Sequence, residues 1–185
     1  MEIDINQKKI SLGDEYRIYI NGSECYFADS RLISLLPKIY LFHCQEDKAK
    51  VSIEKRWGWF SAKYDIKYSN HLLNFRTRSF WKLHYECQFG NDLFDIYGHR
   101  GRKYSVYKND HQIAKWDKEM VAWFEGDNYH IVVDEQSEYE LVIAFCLIID
   151  NYSNNSNDGN TMTVDLGNIG FQKREFNSLW SPKTV

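Results

Sequence analysis

Proline is nearly absent, with 2 residues in 185. A chain so poor in proline turns on Gly, Asn and Asp instead, and these punctuate its apolar runs throughout. Cysteine is sparse as well. Cys25, Cys44, Cys87 and Cys146 are scattered without a C-x-x-C pair, which excludes the spacing of a disulfide framework and predicts free, buried thiols in a reducing compartment. Charge of one sign is not in excess either: 23 Lys and Arg stand against 26 Asp and Glu, a formal net charge of -3. Duplex nucleic acid demands a strongly basic face, so no nucleic-acid partner is expected.

The longest apolar run, Leu141 to Ile149, falls well short of the ~20 residues that span a bilayer, so no transmembrane segment is expected. Met1-Glu2-Ile3-Asp4-Ile5 has neither a basic start nor an apolar core, so no secretory signal is expected and the chain reads as cytoplasmic. The three Asn-x-Ser sites are then chance matches. Catalytic signatures are missing too. There is no nucleophile elbow, no glycine-rich phosphate loop and no zinc motif. His84-x-x-Cys87 has loose metal spacing, but residues i and i+3 of a strand point to opposite faces, and adjacent His43-Cys44 fails for the same reason. No enzyme, metal site or cofactor is expected.

Aromatics, by contrast, are abundant: 13 Tyr, 11 Phe and 6 Trp, 16% of the chain. Such rings suit pleated, half-buried surfaces and lean towards sheet. Short alternating runs follow one another at the eight-to-twelve-residue spacing of a sandwich or barrel. Tyr16–Ile20 and Glu24–Ala28 flank Asn21-Gly22, which accepts the positive φ of a tight hairpin turn. Ile39–Cys44, Lys50–Lys55, Ala62–Tyr68, Leu72–Thr77, Phe80–Cys87, Leu93–Tyr97, Lys103–Tyr107 and His111–Trp116 continue the series. Met120–Glu125 and Tyr129–Val133 read as a last hairpin across Gly126-Asp127-Asn128.

Then the period changes. Ser137 and Glu140 have the spacing of a capping box, and Leu141 to Ile149 has no polar residue at all. A helix that is apolar on every side must be buried on every side. A strand competes for this run because Val and Ile are common in it, but the capping box and the unbroken apolar positions favour a helix at about 138–151, followed by a polar linker over 153–160 and a tail over 161–185. The tail regains apolar residues, including Phe176, Leu179 and Trp180, and would dock on the body or on a partner.

The order of these segments resembles the tubby C-terminal-like superfamily, which includes tubby domains, phospholipid scramblases and LURP-one-related proteins. Tyr16 to Ala28 is similar to its opening hairpin. Phe60-Ser61-Ala62-Lys63-Tyr64-Asp65-Ile66 is similar to one of its strands, and Tyr104-Ser105-Val106-Tyr107 with Ile113-Ala114-Lys115 to its second-half hairpin. Tyr139 to Asp150 resembles its central helix. The resemblance implies a mainly β fold over residues 1–152: a closed antiparallel barrel of about twelve strands around one central hydrophobic helix. Its scramblases anchor through a membrane segment that this chain does not show, so scramblase activity is not expected.

Basic clusters are the functional lead. Arg76, Arg78 and Lys82 lie on neighbouring strands or their turn; Arg100, Arg102 and Lys103 crowd one turn; Lys55 and Arg56 precede Trp57-Gly58-Trp59-Phe60. Cations beside aromatic rings suit an anionic headgroup at a membrane surface. Tubby domains bind phosphoinositides, but their ligand residues have no position-by-position match here, so these eight cations are candidates by chemistry alone. The expected function is a non-catalytic binding domain, peripheral at an anionic lipid surface. The alternative is a protein-interaction or scaffold domain that docks a partner through its C-terminal tail.

Overall fold

The computed structural model of the protein describes residues 1–10, 13–31, 38–57, 61–79, 83–119, 128–155 and 173–183. Twelve strands form a closed barrel. They are β1 (Glu2–Ile10), β2 (Gly13–Ile20), β3 (Ser23–Arg31), β4 (Lys38–His43), β5 (Ala49–Lys55), β6 (Lys63–Tyr68), β7 (His71–Ser79), β8 (His84–Phe89), β9 (Asp92–His99), β10 (Lys103–Lys108), β11 (His111–Glu119) and β12 (Asn128–Val133). Each strand pairs antiparallel with its sequence neighbours, and β1 closes the ring on β12 from Glu2↔Val132 to Asn6↔Asn128. Closure leaves no edge to template aggregation.

The turns use the residues that favour them. Asn21-Gly22 (φ 47° and 82°), Ser69-Asn70 (46° and 64°) and Asn109-Asp110 (49° and 66°) place both central residues at positive φ, the geometry of the two-residue hairpin turn whose twist matches that of its strands. Along each strand, alternate side chains enter the barrel. On β7, Leu73 and Phe75 are buried while Asn74, Arg76 and Arg78 are exposed.

The helix α1 (Tyr139–Asn155) fills the interior. Leu141 to Ile148 are all 0–1% exposed, so the run is enclosed on all sides, as its sequence requires. The dimensions agree: 17 residues at ~1.5 Å each give about 25 Å, and strands of six to nine residues at ~3.3 Å each give about 20–30 Å. At each end of this apolar plug the wall supplies phenols to carboxylates. At the N-terminal end the Tyr26 hydroxyl donates to Glu140 Oε1 at 2.8 Å. At the C-terminal end Tyr16 donates to Asp150 Oδ2 at 2.8 Å, Tyr129 to Asp150 Oδ1, and Tyr64 lies 3.3 Å from Asn151 Oδ1.

Several local expectations are corrected. The first strand, Glu2–Ile10, was not anticipated. The helix begins at Tyr139 and runs to Asn155, beyond the predicted 151 and into the predicted linker. The capping box does not form. The Ser137 hydroxyl donates to the Asp134 carbonyl, Glu140 is drawn to Tyr26, and the Glu138 carbonyl accepts the first helical amides from Leu141 and Val142. Strand β8 starts at His84 rather than Phe80; residues 80–82 lie outside the described residues, as does the expected strand over Met120–Glu125. Tyr129–Val133 itself pairs with β11 on one side and β1 on the other. The thiols are free, but only Cys87 and Cys146 are buried; Cys44 is exposed and Cys25 half-buried. Burial, aided by Glu86, pushes the Cys87 thiol up to about 12, leaving it unreactive.

Candidate functional site

Successive hairpins place their connections at alternating ends of the barrel. The β5–β6, β7–β8 and β9–β10 connections therefore share one rim, together with the C-terminal end of α1. Those are the connections in or beside which the three basic clusters fall. Alternate connections are two strands apart, about 10 Å at a strand spacing of ~4.8 Å. The opposite rim carries the polar turns Asn21-Gly22, Ser69-Asn70, Gly90-Asn91 and Asn109-Asp110.

Within the rim the clusters are not equally available. Lys55 ends β5 half-buried, and burial lowers its pKa. Arg56 is exposed, with Nε 2.6 Å from Asp65 Oδ2. Arg76 and Arg78 lie on the outer wall of β7 and both pair with Glu86 of β8, Arg78 at 2.9 Å. Lys103 lies 3.0 Å from Asp117 of β11. Arg100 is exposed and makes no ion pair among the described residues. Arg102 sits at φ 60°, in the left-handed region. Lys82 lies outside the described residues. The fold thus gathers the candidates at one end, while neighbouring strands hold Arg56, Arg76, Arg78 and Lys103 in ion pairs. Those pairings depend on strand register, which the sequence did not reveal.

Two further features were not anticipated. A cleft of about 780 Å³ opens near the opposite rim, lined by Tyr40, Lys48, Lys50, Lys67, His71 and Leu72 among others; Lys50 pairs there with Glu46 at 2.7 Å. The second is a strap. Residues 173–183 cross the outer wall from β8 to β11. Lys173 Nζ lies 3.3 Å from His84 Nδ1, so neutral His84 directs its Nε2 proton to Asp95 Oδ1, 2.6 Å away. Phe176 packs on the His99 ring at 5.1 Å, and Lys115 Nζ donates to the carbonyls of Ser178 and Trp180 at 2.8 and 2.7 Å.

His99 makes this contact acid-sensitive. Its ring is 1% exposed, with Nε2 2.7 Å from Ser105 Oγ. Burial pushes its pKa down to about 4, against the opposing pull of a hydrogen bond to the Arg174 backbone. A histidine whose folded pKa lies below its unfolded value of about 6.5 contributes its full stability above that value. As pH falls from about 6.5 to about 4 the unfolded state takes up the proton first, and the contribution is lost. Between pH 7 and pH 4 the native chain is expected to lose on the order of 3 kcal/mol more than a His99→Gln chain. Urea titrations of both at each pH measure this, and parallel losses would contradict it.

Among the described residues, no group of three or more His, Cys, Asp or Glu is placed to hold a metal, and no helix is long and apolar enough to cross a membrane. A closed ring of twelve antiparallel strands around an apolar helix defines the tubby C-terminal-like class of domain. Within that class the chain belongs to the LURP-one-related family, whose profile matches residues 1–150. No curated protein and no solved structure matches it.

Proposed function

We propose that this domain is a non-catalytic module that binds anionic lipid headgroups peripherally, through the rim at the C-terminal end of α1. The observation that carries the reading is the convergence of three basic clusters on one end of a closed barrel. Lys55, Arg56, Arg76, Arg78, Arg100, Arg102 and Lys103 meet there, with Lys82 the eighth candidate by sequence. Aromatic chemistry supports it. Trp57 is 73% exposed beside Arg56. Indole rings partition into the headgroup region while Arg and Lys pair with phosphate. Exposed Arg100, with Arg102 beside it in the same turn, is the first point of contact. The paired cations would engage by exchanging a carboxylate for a phosphate, whose oxygens accept comparable charge-assisted bonds.

Vesicle sedimentation tests this. Binding is expected to vesicles containing phosphatidylserine or a phosphoinositide and not to neutral phosphatidylcholine, and to fall steeply as salt rises. At ~1 kcal/mol per cation near a charged surface, replacing Arg100, Arg102 and Lys103 together by Ala weakens binding on the order of 100-fold. Equal binding to neutral and anionic vesicles contradicts the reading. The second reading, a protein-interaction domain, draws support from the strap: a tail laid on an outer wall marks that wall as able to hold peptide.

A further inference from the structure

We infer that the outer wall of β8–β11 is a recognition site for an extended peptide bearing an arginine two residues before an aromatic, and that residues 173–183 occupy it as the chain's own ligand. This goes beyond the lipid reading and stands independently of it.

The wall is not built as a wetted barrel surface. Outward-facing positions of a barrel with a filled interior are ordinarily polar and exposed. Here the outward residues Tyr97, His99, Ser105 and Tyr107 are 6%, 1%, 0% and 8% exposed; the strap packs on Tyr97, His99 and Tyr107, and Ser105 is hydrogen-bonded to the His99 ring. What they present to it is selective. The Arg174 guanidinium lies 4.0 Å from the centre of the Tyr107 ring and 5.4 Å from that of Tyr97, with Nη2 3.0 Å from Asp110 Oδ1. Two ring faces closed by a carboxylate suit a guanidinium: the planar cation stacks on the rings and directs an N–H to the acid. Two residues on, Phe176 rests on His99, with the Lys103 ammonium 5.6 Å from the phenyl centre.

Beyond these notches the wall holds backbone, which any extended peptide offers. The Lys115 ammonium takes two carbonyls, Ser178 and Trp180. Asp134 Oδ1 accepts the Lys183 amide at 2.7 Å. Side-chain notches that read alternate residues, combined with main-chain anchors, are the elements of extended-peptide recognition. The barrel beneath is complete without the strap. Its ring closes through β1 and β12, its interior is filled by α1, and the family match ends at residue 150. Exchange of the strap for a competing peptide therefore leaves the fold's own pairing intact. A ligand tethered to its own site competes at an effective concentration of about a millimolar, so a free peptide enters readily only when the strap is weakened.

The test uses the full chain and a fluorescent peptide copying residues 173–183. An Arg174→Ala/Phe176→Ala chain is expected to bind the peptide at least about tenfold more tightly than the native chain, because its own strap competes less. A peptide with alanine at the arginine position is expected to lose at least about tenfold on the same variant. No binding to a folded variant, or equal binding to variant and native chain, overturns the proposal. Should the variant not fold, hydrogen exchange on the native chain decides. Excess peptide is expected to accelerate exchange of the strap's own amides, and unchanged exchange makes the strap a fixed part of the fold and overturns the site.

Discussion

A Phe145→Asp chain is expected to show no cooperative unfolding transition at 25 °C, because it is already unfolded. Phe145 is fully buried at the middle of α1, with its ring 5.7 Å from Phe75 of β7 and 5.8 Å from Phe94 of β9. Truncating a buried phenylalanine costs about 3–5 kcal/mol. An unpaired carboxylate in the same place adds several kcal/mol more, and no cation is within the enclosed run to meet it. A domain of this size has on the order of 5–15 kcal/mol in total, so the two terms consume most or all of it. Phe145→Leu, which keeps an apolar side chain, is expected to stay folded at a cost of about 1–2 kcal/mol. Circular dichroism and urea titration distinguish the two, and a cooperative Phe145→Asp chain would mean that the helix has a route to solvent.

The second large effect is expected at Asp150. Its carboxylate, 1% exposed, receives the hydroxyls of Tyr16 on β2 and Tyr129 on β12, the two strands that flank β1 where the ring closes. Burial first, then the neighbouring Asp150, raises the Tyr16 phenol well above its ordinary pKa, so it remains a proton donor at any physiological pH. Asp150→Ala removes the acceptor these two phenols share. At ~1–3 kcal/mol for each buried donor left unsatisfied, the expected loss is about 2–6 kcal/mol in urea titration with an unchanged m-value. Asp150→Asn keeps an oxygen for one phenol and is expected to lose about half as much. A loss below ~1 kcal/mol for Asp150→Ala would show that the apolar run alone holds the helix in place.

The residues explain what could and could not be read from the sequence. Strands and turns were legible where the cause is local: alternation on β7, positive φ at Asn21-Gly22, and an unbroken apolar run at Leu141 to Ile149. β1 escaped because its inward positions are Ile3, Ile5 and then Gln7. That glutamine breaks the apolar alternation to join the Tyr16–Asp150 cluster, its Nε2 3.5 Å from the Tyr16 hydroxyl. The capping box failed for a related reason: a wall tyrosine outcompeted the local amide for Glu140. The pairing of β12 with the first strand was not legible because that contact spans more than 120 residues of sequence.

The candidate site divides in the same way. That three basic clusters share a rim follows from counting hairpins. That Arg76 and Arg78 meet Glu86, or Lys103 meets Asp117, depends on register across strands. In the tail, Phe176 packs against the barrel while Leu179 is 91% exposed. Composition treats the two alike, and only the non-local platform of Tyr97, His99 and Tyr107 separates them.

Enclosure of α1 is most directly tested by native-state hydrogen exchange resolved to single amides. If the barrel surrounds the helix, the amides of Leu141 to Ile149 exchange only through global unfolding, with opening free energies equal to the stability from urea titration and falling in parallel with it as denaturant is added. Exchange of that stretch through a smaller, denaturant-independent opening would contradict the account, since a helix sealed within twelve strands cannot reach water while the wall stands.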